Sequence, residues 1–545
     1  MGGIGLIISG GGLALAFTPG RAWLLLWLPA CAFWLLHHRG WRLGLIGGWL
    51  WGLSFYLVHG FWGLPVFEQR GASPLYTGVA WAGAALWLGF FYALFGLLLN
   101  LMPTTSWFWR AVGGASAWTV CQWLQSLGSY SLPWAQWGVA MTQMPLLIQL
   151  VDVGGIWFLE WIIAYWNMLL CEFVRGTTEQ SATAQLRNKV AALLIVVALF
   201  WGSYGALRLN QYRDTSLSKE ATKIRVGILQ YQEHPIAERN GQVLDFWITK
   251  TQQHKPEWLV LPESTVQLDP SNPDWQRWQQ RIRTLNSMVL VGTGRRVGSG
   301  YRANSACLLM ADRDPVCSDK VKLMPFTELP PPLPTLSFWQ ALGLDSKSTV
   351  QSGKQPIALQ GADGRRVGAL ICVESLYGWV AREMVRNDAQ WIAVLTNDEW
   401  LPSGMTRRQF AQYCALRAVE CRRWIARASS VGISGFYAPT GELVASLPMG
   451  KPGVLVHSIT PRTEQTLYVR WGDWWVYVCL AVVGVLGLVH RAGFRSVKCH
   501  KFLYTNLYNS PLLFAYCSIS SITSSMTASI VNDCSSGRGS DCTHR

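Results

Sequence analysis

The sequence predicts an α/β domain set between two groups of membrane helices, about seven before it and one after it. Three observations carry this. Apolar runs long enough to cross a bilayer crowd residues 1–207, and one more stands near residue 480. Between them charge returns, and short β-type runs alternate with helical patterns. The 31 Trp of the 545 residues concentrate in the first third of the chain, where their rings suit the boundary between bilayer and water.

Composition narrows the class. Half of the residues are hydrophobic and only 14% are charged, which is low for a soluble globular protein of this size. The formal net charge is +15. Lys and Arg gather beside the apolar segments and in the last part of the chain, a pattern of cytoplasmic flanks and anionic lipid rather than of nucleic-acid binding. The 13 Cys show no CxxC pair and no regular spacing, so neither a zinc site nor a disulfide framework is expected. The amino terminus lacks the charged start and cleavage site of a secretory signal, and reads as a retained anchor.

A span needs roughly 20 apolar residues. The candidates are 3–18, 20–37, 42–61, 75–102, 107–126, 146–172 and 188–207, with an eighth at 472–490. Only Thr18-Pro19-Gly20-Arg21 separates the first two, as in a tight hairpin. Basic residues follow span two (Arg39, Arg42), separate spans six and seven (Arg175, Arg187, Lys189) and follow span eight (Arg491, Arg495, Lys498). By the positive-inside rule the amino terminus is cytoplasmic, and the inserted domain lies on the opposite face, the periplasm of a bacterium. The expected organisation is a membrane domain at 1–207, a catalytic domain at 208–470, a last membrane helix at 471–490 and a mostly disordered cytoplasmic tail at 491–545. Glu160 falls inside an apolar span, where a carboxylate needs a partner or a function.

Within 208–470 the predicted strands are 224–229, 258–261, 289–292, 367–371 and 391–395, and the predicted helices 273–287, 375–387 and 406–424. Three strand ends carry chemistry. Leu261-Pro262-Glu263-Ser264 puts a carboxylate where an α/β crevice opens. Lys320-Val321-Lys322-Leu323-Met324-Pro325-Phe326-Thr327-Glu328 places cations ahead of a proline-stiffened loop. Ile371-Cys372-Val373-Glu374-Ser375 sets a thiol at a strand-to-helix corner, where the free N–H groups favour thiolate. Each alone is ordinary: a capping Glu, a solvated basic strand end, a buried Cys. Together, on successive strand ends, they supply a nucleophile, a proton acceptor and a cation for a tetrahedral intermediate.

These residues resemble the nitrilase superfamily, whose Glu-Lys-Cys set appears in this order on an α-β-β-α sandwich. Set between membrane spans, the domain is similar to the membrane-embedded apolipoprotein N-acyltransferase family. Lys320 lies eight residues before Glu328, in a block like that family's K-x-H-L-V-P-F-G-E. Cys372 and Glu374 match its C-x-E, Thr396-Asn397-Asp398-Glu399-Trp400 is similar to its S-N-D-A-W, and Arg417-Ala418-Val419-Glu420 to its R-A-x-E. The resemblance implies Glu263, Lys320 and Cys372 as catalytic residues, with Glu328, Glu374, Val373, Asn397 and Trp400 in support or in substrate binding. It implies a fatty acyl chain passed from a phospholipid through a Cys372 thioester to the diacylglyceryl-cysteine of an apolipoprotein, in the bacterial cytoplasmic (inner) membrane, without metal or organic cofactor. The chain departs from the pattern at Lys322 (usually His), Thr327 (Gly), Val373 (an aromatic), Glu399 (a small residue) and Leu401 (Phe). Two other readings stay open: a divergent nitrilase-like membrane protein with another acyl or amide substrate, of conjugal-transfer type for example, or a catalytically dead membrane scaffold.

Overall fold

The structure is a computed structural model describing residues 2–18, 20–37, 40–69, 71–102, 106–178, 184–214, 222–231, 248–267, 280–281, 285, 287–297, 301–330, 337–342 and 350–489. The predicted helix at 273–287 falls largely outside these residues, and the tail from 490 lies wholly outside them.

Among the described residues, four helical segments are long and apolar enough to cross a membrane: Trp41–Glu68, Pro74–Leu101, Val151–Arg175 and Ala184–Arg213. Shorter apolar helices cover Gly2–Phe17, Ala22–Leu36 and Trp474–Val489. A further helix, Trp107–Gln125, occupies the fifth predicted span. Two of these helices meet backbone to backbone through glycines, as small residues allow in lipid. A Cβ on Gly96 would lie 2.1 Å from the carbonyl oxygen of Gly44. The sixth predicted span is shifted. Its helix starts at Val151 rather than near 146, runs on to Thr178, and breaks at Gly154 and Gly155. Glu160 is fully buried there. Its carboxylate accepts hydrogen bonds from Trp118 Nε1 at 3.2 Å and from Gly138 N at 2.8 Å. It thereby serves the exposed N–H end of the short helix Trp137–Ala140, a structural use for an otherwise costly charge.

Among the described residues, thirteen strands form two sheets. The first has the order β13-β1-β2-β4-β5-β6, with β3 beside β4; these are Gly453–Ile459, Ile224–Gln230, Trp258–Val260, Met288–Val297, Tyr301–Leu309, Val316–Asp319 and Val266–Gln267. The second has the order β12-β11-β10-β9-β8-β7: Leu443–Ser446, Gly435–Tyr437, Ile425–Ser429, Trp391–Thr396, Arg366–Ile371 and Ala358–Gln360. β1, β2 and β4 run parallel, as do β8, β9 and β10. Parallel strands are covered on both faces, so they read as continuous apolar runs rather than as alternation. All six residues of β9 are buried. The sheets pack face to face, with Trp258 and Trp391 in edge contact at 5.3 Å. The helices Gly378–Arg386 and Gly404–Cys421 cover the second sheet. The result is the nitrilase-like α-β-β-α sandwich, carried between apolar helices.

One covalent link was not visible in the Cys spacing. Cys307 on β5 and Cys317 on β6 stand directly opposite in an antiparallel register and are disulfide-bonded. Register, not spacing, makes that pair.

The sandwich and the membrane helices share buried charges. Arg422, fully buried at the end of helix Gly404–Cys421, donates to Asp152 Oδ2 from Nη2 at 2.6 Å and from Nε at 3.1 Å. Arg208 reaches the same oxygen at 2.8 Å from Nε, and Tyr204 donates to Oδ1 at 2.6 Å. Asp152→Asn leaves two guanidinium groups without their counter-charge. The expected cost is about 3–5 kcal/mol, read as a lower thermal midpoint of the purified full chain in detergent. A midpoint equal to that of the native chain would refute this account.

Candidate active site

Glu263, Lys320, Cys372 and Asn397 each sit just past the carboxyl end of a strand. β2 ends at Val260 and the chain continues through Leu261 and Pro262 to Glu263. That segment lies flat on β4, where Gly292 makes room: a Cβ there would be 2.5 Å from the Cα of Glu263. Lys320 follows β6, Cys372 follows β8 and Asn397 follows β9. Three residues of this region hold positive φ without being glycine: Ser264 (56°), Phe326 (63°) and Cys372 itself (53°). Such strain persists only where the surroundings impose it, and it collects at functional sites.

Lys320 is 1% exposed and draws two carboxylates together. Its Nζ lies 2.8 Å from Glu328 Oε2 and 3.5 Å from Glu263 Oε1. Asn304, on β5, donates from Nδ2 to both Glu263 Oε1 and Glu328 Oε1, at 2.8 Å each. The second oxygen of Glu263 accepts from the backbone N–H of Asn397 at 3.0 Å. Glu328 also accepts from Met324 N at 2.7 Å. Burial alone would lower the proton affinity of Lys320, but the carboxylates of Glu328 and Glu263 raise it well above the usual lysine value. The Lys320 ammonium in turn holds Glu328 below the usual carboxylate range, against its burial.

Cys372 is buried in the field of these groups. Burial pushes its thiol well up, and the Glu263 charge adds to this, while Lys320 works against it. The corner is a short 3-10 turn, Cys372–Leu376, before the helix Gly378–Arg386 begins. The expectation of a thiolate favoured by a helix terminus therefore gives way. Burial and the Glu263 charge both favour the protonated sulfur, whose proton a neighbouring base can take.

Glu374 acts as a strut. Its carboxylate accepts from Ile371 N at 2.8 Å, Val321 N at 2.7 Å and Lys322 N at 3.2 Å. It thus ties the cysteine corner to the loop that follows Lys320. Burial raises its pKa to about 7 against the opposing pull of those N–H groups. The folded chain then binds more protons than the unfolded one between the usual carboxylate value and about 7. Stability falls as pH rises through that window. Thermal midpoints between pH 5 and 7.5 should show this slope, and Glu374→Gln should flatten it; an unaltered slope would contradict the assignment.

The remaining predicted residues divide. Asn397 joins the cluster through its backbone, while its side chain accepts from Ser430 Oγ at 2.7 Å. Val373 is fully buried in the core and away from the charged cluster's hydrogen bonds. Trp400 packs its ring against Trp62 at 6.1 Å, Trp134 at 6.3 Å and Phe410 at 6.2 Å, between the membrane helices and the sandwich. Asn304 was not singled out from sequence, because nothing local distinguishes a polar residue on a strand. Among the described residues, no group of three or more His, Cys, Asp or Glu is placed to hold a metal ion.

Two known families match the two halves of this arrangement. The apolipoprotein N-acyltransferase N-terminal domain matches residues 9–169, and the carbon-nitrogen hydrolase domain matches residues 243–468. The chain belongs to the apolipoprotein N-acyltransferase family. An apolipoprotein N-acyltransferase from Chlorobaculum tepidum is 25% identical over 68% of this chain and 75% of its own length. One from Geobacter metallireducens is 27% identical over 68% and 71%, and one from Pseudomonas syringae pv. tomato 24% identical over 88% and 95%. The chain is thus a membrane acyltransferase of the nitrilase superfamily.

Proposed function

We propose that the chain moves a fatty acyl chain from a phospholipid, through a thioester on Cys372, to the α-amino group of the diacylglyceryl-cysteine of an apolipoprotein. One observation carries this reading. A buried thiol shares a cluster with a carboxylate, Glu263, and a cation, Lys320, whose Nζ lies 3.5 Å from that carboxylate. The names of the relatives supply the substrate class.

In the first half-reaction Glu263 takes the Cys372 proton as the sulfur attacks the ester carbonyl carbon. The Lys320 ammonium and backbone N–H groups of the cysteine corner face the resulting oxyanion. The ester C–O bond then breaks, the departing lysophospholipid oxygen takes the proton back from Glu263, and the acyl group stays on sulfur. In the second, Glu263 accepts a proton from the incoming amine as nitrogen attacks the thioester carbonyl. The C–S bond breaks, the proton returns to sulfur, and the amide leaves. An amide is more stable than a thioester, so the transfer runs forward. Glu328, bonded to Lys320, keeps that cation in place and charged.

The side of the membrane follows from two supports. The charge pattern supports a sandwich opposite the cytoplasm. The Cys307–Cys317 disulfide fits an oxidising compartment, which is the periplasmic side of a bacterial inner membrane.

The test is direct. The purified chain is mixed with phospholipid carrying a labelled acyl chain, and then with a diacylglyceryl lipopeptide. Hydroxylamine-sensitive label on the protein, chased into amide-linked label on the lipopeptide, is the expected course. Label that forms but never reaches the lipopeptide would overturn the acceptor.

A further inference from the structure

A cavity of about 380 Å³ lies between the membrane helices and the catalytic loops. That volume is in the range that small ligands occupy. Trp123, Gln136 and Trp157 line it from the membrane domain, and Lys322, Tyr377 and Trp379 from the sandwich. Its catalytic wall is made by the residues that directly follow Lys320 and the Cys372 turn.

Lys322 is the charged feature of this wall. Its Nζ donates to Gly128 O at 2.6 Å, Ser129 O at 3.2 Å and Ser131 Oγ at 3.0 Å. It stands 4.8 Å over the Tyr377 ring. All four partners are neutral, and among the described residues no carboxylate pairs with this ammonium. Burial, with no opposing charge, lowers its pKa to about 8. Asp473 also lines the cavity, but its carboxylate accepts from Trp123 Nε1 at 3.2 Å and lies in the field of Arg382. Gln136 is 4% exposed, and its amide oxygen has no hydrogen-bond partner.

A half-buried cation without a counter-ion, beside an unanswered acceptor, is an incomplete site. We propose that this cavity receives the phosphate headgroup of the lipid acyl donor, with the Lys322 ammonium as its counter-charge and the Gln136 amide oxygen accepting from a headgroup hydroxyl or ammonium. The assignment rests on the acyl-transfer reading above. An anion here meets its partner in a site partly shielded from water, where such contacts are strong. The tryptophans at its rim mark the level at which lipid phosphates lie. The cavity is lined by Val321 and Lys322, which follow Lys320, and by Leu376, which ends the turn that Cys372 begins.

The experiment compares two donors with the same labelled chain, a phosphatidylethanolamine and a phosphate-free diacylglycerol, each carried in galactolipid vesicles with the full chain. Lys322→Gln should lower the ratio of phospholipid to diacylglycerol labelling of Cys372 about tenfold, and Lys322→Arg should restore most of it. An equal slowing with both donors would mean that Lys322 only holds the loop, and overturns the proposal. Binding is read separately from transfer. Glycerophosphoethanolamine should raise the thermal midpoint of the native chain and not that of Lys322→Gln. No rise in the native chain overturns the headgroup site, and an equal rise with inorganic phosphate alone overturns the lipid assignment. If native Cys372 never takes label, the acyl-transfer reading has failed, and the midpoints still decide the cavity.

Discussion

Cys372→Ala should abolish acyl labelling and turnover, a loss on the order of 10⁴-fold or more, while leaving the fold almost untouched. The two halves of this expectation have one cause. The ion pairs of Lys320 are with Glu328 and Glu263, and burial and the Glu263 charge favour the protonated form of the buried sulfur. Removing it leaves the pairing of Lys320 with Glu328 and Glu263 in place. The thermal midpoint should therefore shift little. Glu263→Gln separates the steps further. The nucleophile remains, but its proton has no acceptor, and single-turnover labelling should slow by about 10²–10⁴-fold. Label on Cys372→Ala equal to that on the native chain would end the thioester mechanism.

Lys320→Met should damage both stability and turnover. It removes the cation between Glu263 and Glu328 and strands two largely buried carboxylates, at a cost of about 3–5 kcal/mol. It also removes a group facing the oxyanion, a further loss of about 10²–10³-fold in rate. The pH dependence identifies the cause. In the native chain Glu328 titrates below the usual carboxylate value. Its contribution is present above that value and is lost as pH falls through the folded one. Without Lys320 the same burial penalises the charged form, so acid protonates both carboxylates and relieves the variant. The gap in midpoint between native chain and variant should be widest near neutrality and close as pH falls into the carboxylate range. Lys320→Met combined with Glu328→Gln should recover part of the loss. A gap constant with pH would show that packing, not charge, is what Lys320 contributes.

What could be read in the sequence was what local order determines. The strands carrying Glu263 and Cys372 are parallel and buried on both faces, so their apolar runs marked them and their ends. The eight residues from Lys320 to Glu328 selected the lysine that the structure places between the carboxylates. Contacts set by tertiary register stayed hidden. Asn304 bridges two carboxylates from a strand that carries no motif. Cys307 meets Cys317 only because β5 and β6 pair in one register. Lys322 drew notice as a departure from a familiar pattern, but its partners Gly128, Ser129 and Ser131 belong to a loop of the membrane domain nearly two hundred residues away. The burial of Cys372, which opposes a thiolate, was hidden for a related reason: a corner's sequence does not reveal how much of the molecule will cover it.

The broken helix at Gly154 and Gly155 bears on how the sandwich is completed. The break frees the N–H of Ile156, and Glu420 of the sandwich captures it at 3.0 Å. Gly155 also admits the ring of Tyr468, where a Cβ would lie 2.5 Å from it. Glu420, Arg422 and Asp152 are all buried at this seam. The helix Val151–Thr178 thus supplies partners that complete the sandwich: residues 222–470 on their own would lack the Ile156 N–H that Glu420 accepts and the Asp152 carboxylate that Arg422 pairs with.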